Sequence, residues 1–431
     1  MPSSSGLPCY PTRGRSASNH LLITVAEMHT AFPRFVPLLL LAFLHVSVVL
    51  GSEVFRYPEG RFRDGELRYV NDVPVLIVQG SHHEIGEQVG TLALKHAARV
   101  VHLVNAYADE KLPKTVRPFA DVAVRSMYAR FPREYRDELE AMATAAEVDL
   151  GALIRANTII DLHEMIGCSS LMVSREHSTT GGPLYGRNLD VPYVKGLAEL
   201  SLLIVYHPRD CHAFALPNIP GFLMFSSGMN SRGLALGSQS VGPPNDGSQR
   251  FNPTGEPSAV VGRRLIERCG SVEEVGSWLE RHRLMRCVSI AACDRDRQSV
   301  FELTTERVLR RNATDGLCCA TNHFRHEELV SDNECWRYKI LDGSRKKDRL
   351  GIENVAALMK ATSQGQMTIH TMIIEPQPLV IHLAMGAGPA ADYPLKTIAL
   401  AGLFDSTVQN PSDRVAERPH PPEPAVGPAS N

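Results

Sequence analysis

Met165-Ile166-Gly167-Cys168-Ser169-Ser170 is where the chain changes its pattern. Upstream of it, apolar residues recur at helical spacing. Ile85, Val89, Leu92, Val100 and Val104 predict an amphipathic helix within 81–112, and Leu139, Met142 and Ala146 a second over 133–148. Asp149 is placed to cap a third helix, which carries Leu153, Ile154, Ile159 and Ile160 toward Glu164. Downstream, short apolar runs at 168–173, 184–189, 200–206, 213–216, 222–225 and 234–237 alternate with turn-formers such as Thr180-Gly181-Gly182-Pro183 and Asn230-Ser231-Arg232-Gly233. That is the pattern of strands and hairpins.

Working outward, helices are expected at 258–269, 272–282 and 352–361. Further strands are expected at 288–292, 300–303, 317–321, 368–374 and 379–383. Antiparallel hairpins with helices grouped in blocks imply an α+β protein with sheets packed face to face and helices outside. The chain divides into a leader at 1–52, a mainly helical segment at 53–167, a catalytic fragment at 168–409 and a Pro-rich, disordered tail at 410–431. No internal repeat is visible.

Composition narrows the function classes. With 43% hydrophobic residues in 431, the chain can bury a large core, and its net charge of −2 comes with no basic stripe. Nucleic acid is therefore excluded as a partner. The run FVPLLLLAFLHVSVVLG at 35–51 is short for a span of about 20 apolar residues, and Pro37, His45 and Ser47 interrupt it. It reads as the hydrophobic region of a secretory signal, with Met28 as an alternative start. An uncut anchor touching the membrane and a buried core helix are the other readings. Asn312-Ala313-Thr314 is a glycosylation sequon, which agrees with a secreted or lysosome-like location. The nine cysteines are compatible with disulfides but lack the dense spacing of a stapled domain.

Cys168, on position alone, is a small buried apolar residue. Gly167 before it permits backbone geometries closed to other residues, which would suit attack of the thiol on the preceding carbonyl. Cleavage there would leave Cys168 with a free α-amine, and the thiol (about 8.5) and amine (about 7.7–8.0) are close enough in pKa to exchange a proton near neutrality. Three motifs downstream supply partners: Gly186-Arg187-Asn188-Leu189-Asp190, Gly228-Met229-Asn230-Ser231-Arg232-Gly233-Leu234-Ala235, and Thr321-Asn322-His323-Phe324 before Trp336-Arg337.

With these motifs in this order, from about Pro74 to about Leu395, the sequence resembles the acyl-coenzyme A:6-aminopenicillanate acyltransferase family. More distantly it resembles acid ceramidase and N-acylethanolamine acid amidase. All are N-terminal-nucleophile hydrolases. The resemblance implies a four-layer α/β/β/α sandwich behind a helical pro-segment, and autocleavage between Gly167 and Cys168. It implies Cys168 as nucleophile, Asp190 as holder of the new α-ammonium, Arg187 as a clamp on a carbonyl or the scissile loop, and Asn322 as an oxyanion donor. Arg337 falls where acid ceramidase-like enzymes carry an arginine. Glu256 is close to a family glutamate, but its surroundings do not match and no role is assigned.

The activity expected is hydrolysis of a small, linear amide, lipid-like amides included, with the N-terminal fragment kept as a partner. Transfer of the acyl group to an amine is the nearest alternative. A phospholipase B-like ester hydrolase and a non-catalytic glycoprotein are the others. His82-His83-Glu84 and His163-Glu164 lack metal-site spacing. There is no phosphate loop and no dinucleotide fingerprint, so neither metal nor cofactor is expected.

Overall fold

The computed structural model describes residues 55–115, 117–162, 167–330 and 334–405. The expected leader and Pro-rich tail lie outside these residues, as do His163-Glu164 and Met165-Ile166. The described elements belong to one compact unit that begins at Arg56.

The chain opens with three strands, β1 (Gly60–Phe62), β2 (Gly65–Val70) and β3 (Val73–Gly80). Five helices follow: α1 (His82–Val89), α2 (Arg99–Lys111), α3 (Arg117–Tyr128), α4 (Arg133–Ala146) and α5 (Leu150–Leu162). Then come β4 (Gly167–Val173), β5 (Leu184–Asp190), β6 (Leu202–Pro208), β7 (Phe214–Asn218), β8 (Ser227–Asn230) and β9 (Ala235–Ser240). After α6 (Ser258–Arg268) and α7 (Val272–Glu280) stand β10 (Val288–Cys293), β11 (Gln298–Leu303), β12 (Val308–Asn312) and β13 (Leu317–Ala320). The described part ends with α8 (Trp336–Gly343), α9 (Ile352–Ala361), β14 (Thr368–Glu375), β15 (Val380–Met385), β16 (Lys396–Ala399) and α10 (Ala401–Asp405).

These strands make two sheets. One runs β1-β2-β3-β6-β7-β8-β9-β10-β11-β12, the other β13-β4-β5-β14-β15-β16. All neighbours are antiparallel except β3 and β6, which the helices α1 to α5 and the β4–β5 hairpin separate in sequence. Between the sheets Val75, Leu203, Ala215 and Met229 pack against Met172, Tyr185, Met372 and Ile381 in one apolar cluster. Leu171, Val173 and Ile373 point the other way, onto Leu341 of α8 and Val355 and Met359 of α9. On the far side, α6 and α7 cover β8 to β12. The result is the four-layer α/β/β/α sandwich expected. Strand alternation fixes it, because each strand feeds one face to the shared core and the other to a helix.

Three departures from the sequence reading have physical causes. The helix expected across 81–112 is two, separated by a π-helical segment at Gly90–Leu94. Leu92, Ala93 and Leu94 are all buried there, and three consecutive apolar side chains are more than one helix face takes inward. The strand expected at 222–225 is a loop. Its burial alternates as a strand's would, but Asn218 Nδ2 donates to the Phe222 and Met224 carbonyls (3.0 and 3.3 Å), and Leu223 N donates to Asn157 Oδ1 at 2.8 Å. Side chains replace a neighbouring strand. Finally, β1 to β3 precede Cys168 and still complete the larger sheet, so the cut expected before Cys168 would divide a sheet and not a linker.

The segment before Cys168 is also tied to the rest by buried charge. Arg263 of α6 lies between Glu138 of α4 (3.1 Å) and Glu267 (2.5 Å), with its guanidinium 4.2 Å from the Tyr206 ring centre. His82 of α1 meets Glu138 at 2.6 Å, and Tyr135 Oη donates to Glu267 at 2.6 Å.

Candidate active site

Strand alternation sorts the site into two faces. On β4, Cys168 and Ser170 point into the sandwich with Met172, while Ser169 points to the α8 side with Leu171. Cys168 pairs with Leu189 of β5, and Gly167 with Asp190.

On the inner face, the Cys168 thiol receives Arg187 Nη2 at 2.9 Å. Arg187 is fully buried, and the hydrogen bonds of its guanidinium go to neutral groups. Nε donates to Ser227 Oγ (2.7 Å), Nη1 to Ser170 Oγ (3.1 Å), and Nη2 also to the Ser238 carbonyl (2.5 Å). The Gln239 amide oxygen accepts from Nη1 and from Ser170 Oγ, both at 2.6 Å, while its nitrogen donates to the Ser289 carbonyl at 2.7 Å. A glycine opposite makes room for this cluster: a Cβ on Gly237 would stand 2.0 Å from Tyr185 Oη and 3.3 Å from Arg187 Cζ.

On the helix side, the backbone of Cys168 is held at both ends. Its N–H donates to Asn322 Oδ1 at 2.9 Å, and its carbonyl accepts from Arg337 Nη1 at 2.5 Å. Arg337 Nη2 also donates to Asn322 Oδ1 (2.9 Å), and Asn322 Nδ2 donates to the Ser240 carbonyl (2.7 Å). Asn322 thus turns its oxygen, not its amide donor, toward Cys168. Asp190 is buried beside Gly167, accepting from Gln364 Nε2 (2.8 Å) and Thr368 Oγ1 (2.6 Å), with Arg337 Nη1 at 3.7 Å.

Electrostatics follow from this enclosure. Burial pushes the Cys168 thiol up, and Asp190 adds to that, while Arg187 and then Arg337 pull it down. Burial acts the same way on Cys335, at the start of α8, but hydrogen bonds to His323, the Tyr338 backbone and Thr321, with the charge of Arg337, together outweigh it and bring that thiol down to about 6.

Three expectations are refined here. Asn322, expected as an oxyanion donor, directs its amide to the Ser240 carbonyl and faces Cys168 with its oxygen; Arg187 and Asp190 leave opposite faces of β5, and the cation near Asp190 is Arg337. Gly167 is not in the left-handed region, and its backbone is part of β4. Its glycine character answers a close approach, since a Cβ would fall 2.3 Å from Gln364 Nε2 and 3.1 Å from Asp190 Cβ.

The motifs led to Cys168, Arg187, Asp190, Asn322 and Arg337, and the fold brings all five together. Asn230 lies outside the site; it donates to the Ile266 and Cys269 carbonyls at the end of α6. Ser170, Ser227, Gln239, Gln364 and Thr368 went unread, because each is an ordinary polar residue that only the sheet register delivers. Asn312 is exposed at the end of β12. The eight described cysteines are free thiols. Among the described residues no group of three or more His, Cys, Asp or Glu side chains could hold a metal.

Two cavities share Met224, Ser226 and Leu189, the strand partner of Cys168. One is mixed in character, lined by Ser238, Gln239, Ser258 and Arg286. The other, about 90 Å³, is mostly apolar, with Val191, Pro192, Ile219 and Phe222 in its wall.

The fold thus places a thiol on an inner strand of the sandwich, with the backbone nitrogen and oxygen of the same residue both held, where the sequence resemblance expects a nucleophile. Residues 177–350, less than half of the sequence, match the family described as acyl-coenzyme A:6-aminopenicillanic acid acyl-transferase. The match contains Arg187, Asp190, Asn322 and Arg337 and begins after Cys168. No curated protein matches the chain. Among solved structures, a conjugated bile acid hydrolase variant from Clostridium perfringens is 13% identical, covering 56% of this chain and 94% of its own, with a TM-score of 0.41. The Caenorhabditis elegans N-acylethanolamine-hydrolyzing acid amidase ortholog is 11% identical (48% and 93% covered, TM-score 0.39). Penicillin V acylase from Agrobacterium tumefaciens is 10% identical (54% and 86% covered, TM-score 0.39).

Proposed function

We propose that this chain cuts itself between Gly167 and Cys168 and then hydrolyses a linear amide through a thioester on Cys168. The observation that carries this reading is the grip on one residue: Sγ is 2.9 Å from Arg187 Nη2, while Asn322 and Arg337 fix the nitrogen and carbonyl of the same cysteine.

In self-cleavage, Sγ attacks the Gly167 carbonyl carbon and the thiol proton passes to the Cys168 nitrogen. The C–N bond breaks as the thioester forms. Water then splits the thioester into the Gly167 carboxylate and a free thiol beside a new α-amine. Asn322 Oδ1 keeps that nitrogen in place, and Asp190 holds its ammonium form. With substrate, the amine takes the thiol proton and Sγ attacks the amide carbon. The proton passes to the leaving amine, and a water deprotonated by the α-amine releases the acid. Arg187 donates to the carbonyl oxygen as it gains charge, in a site shielded from bulk water.

The apolar cavity suits the acyl chain. The run at 35–51 and the exposed Asn312 sequon support export and glycosylation, in the secretory path or a lysosome-like lumen. Outside the cytoplasm an acyl-coenzyme A donor is scarce, which favours water over an amine as acceptor.

The test is to quench turnover of an N-acyl amine with acid and weigh both fragments. Acyl mass on the fragment that begins at Cys168 is expected. Acyl mass elsewhere, or turnover that survives Cys168→Ala, would defeat the reading.

A further inference from the structure

Leu189, Met224 and Ser226 stand in the walls of both cavities, and beyond that shared border the two walls differ in charge. Among the described residues lining the apolar cavity, none is Asp, Glu, Lys or Arg. His370 is in that wall, and burial holds its imidazole down to about 3, so it is neutral there. The mixed cavity is smaller, about 40 Å³, and its described wall has one charged side chain, Arg286, and no carboxylate.

Strand alternation gives the direction of Arg286. It is bridged to Phe251 just before β10, and Arg286, Val288 and Ile290, at two-residue spacing, all line the cavity. Cys287 and Ser289, between them, are not in its wall. Arg286 is 9% exposed, so water screens its charge poorly. It interacts within the protein already, and with five N–H donors its guanidinium can take a ligand's carboxylate as well.

The same wall is tied to the nucleophile. Leu189 pairs with Cys168, so both project from one side of their sheet. Ser238 and Ser240 of β9 also line the mixed cavity. The Ser238 carbonyl accepts from Arg187, which reaches Cys168 Sγ, and the Ser240 carbonyl accepts from Asn322, which holds the Cys168 nitrogen. Ser240 is in register with Val288, and Arg286 stands two residues, about 7 Å, further along that strand.

We infer that the substrate is an N-acyl amino acid, with its acyl chain in the uncharged cavity and its carboxylate paired with Arg286 in the mixed one. The scissile amide then lies at the shared border, where Leu189 adjoins Cys168. A carboxylate matches the planar guanidinium in two parallel hydrogen bonds. A neutral amine part leaves that charge unmet, and a second cation is repelled by it. The inference rests on the amidase reading for the position of the scissile bond, and it makes Arg286 a specificity residue remote from that bond.

The experiment joins one acyl chain to a small amino acid, to the primary amide of that amino acid, and to a diamine of similar length. Turnover and calorimetric binding of all three are measured on the wild-type chain. The carboxylate compound should exceed the primary amide by about tenfold or more in kcat/KM and in affinity, and exceed the diamine compound further. Arg286→Gln should bring the acid-to-amide ratio toward one, and Arg286→Lys, which keeps the charge without the fork, should retain part of it. Should the variants fail to fold, the wild-type ratios alone decide. Wild-type ratios near one, or a carboxylate preference that survives Arg286→Gln, would overturn the inference. Binding preference without turnover would count against the amidase reading and not this pairing. Lack of binding by all three would count against both.

Discussion

At Cys168 the structure holds a thiol that burial keeps protonated and a guanidinium that favours its anion. Arg187 makes several hydrogen bonds, and lysine cannot copy a planar fork. Arg187→Lys should keep the fold while slowing self-cleavage and turnover about 10²–10³-fold, the usual loss for one oxyanion donor. Equal rates in a timed gel assay would remove Arg187 from the mechanism. Gly167→Ala tests close approach: a methyl group there meets Gln364 and Asp190, so cleavage should slow by up to about 10²-fold, and Gln364→Ala should restore part of it. The sequence made Arg187, Asp190 and Asn322 legible, because they sit in recognisable strings. Ser170, Ser227, Gln239 and Thr368 carry no local signal; their role exists only once β4, β5, β8, β9 and β14 are in register.

At the scale of elements, the buried cluster on α1, α4 and α6 joins the segment before Cys168 to the segment after it. Burial pushes the Glu138 carboxyl up, but Arg263 and His82 outweigh it and hold it below the usual range. Burial pushes His82 down, and its hydrogen bond and attraction to Glu138 outweigh that, leaving it raised. A raised histidine contributes stability that is complete below its unfolded value of about 6.5 and fades as pH climbs through the folded value. The melting temperature should therefore fall as pH rises above about 6.5, and His82→Phe should flatten that slope; a wild-type slope unaffected by the variant would contradict this. Removing one buried partner by Arg263→Met should cost about 3–5 kcal/mol in a denaturant titration. Periodicity read α4, α6, α7 and α9 nearly to their ends. It missed β12 and β16, sheet-edge strands with few buried residues, and α8, whose weak apolar pattern follows a turn. It also missed β1 to β3, which precede the region where strands were sought.

On the scale of the whole molecule, a cut at Gly167-Cys168 would divide a chain whose two parts share a ten-stranded sheet, since β3 pairs with β6 along Val75–Gly80. The fragments should co-elute in native gel filtration and separate in denaturant; early loss of the smaller one would show that the shared sheet does not hold them. The most direct test of the central claim is the mass of the purified protein under denaturing conditions. The account predicts two fragments, the larger beginning with Cys168, and a Cys168→Ala chain that stays whole at that bond. A folded wild-type chain that remains uncut, or a Cys168→Ala chain cleaved at the same bond, would contradict it.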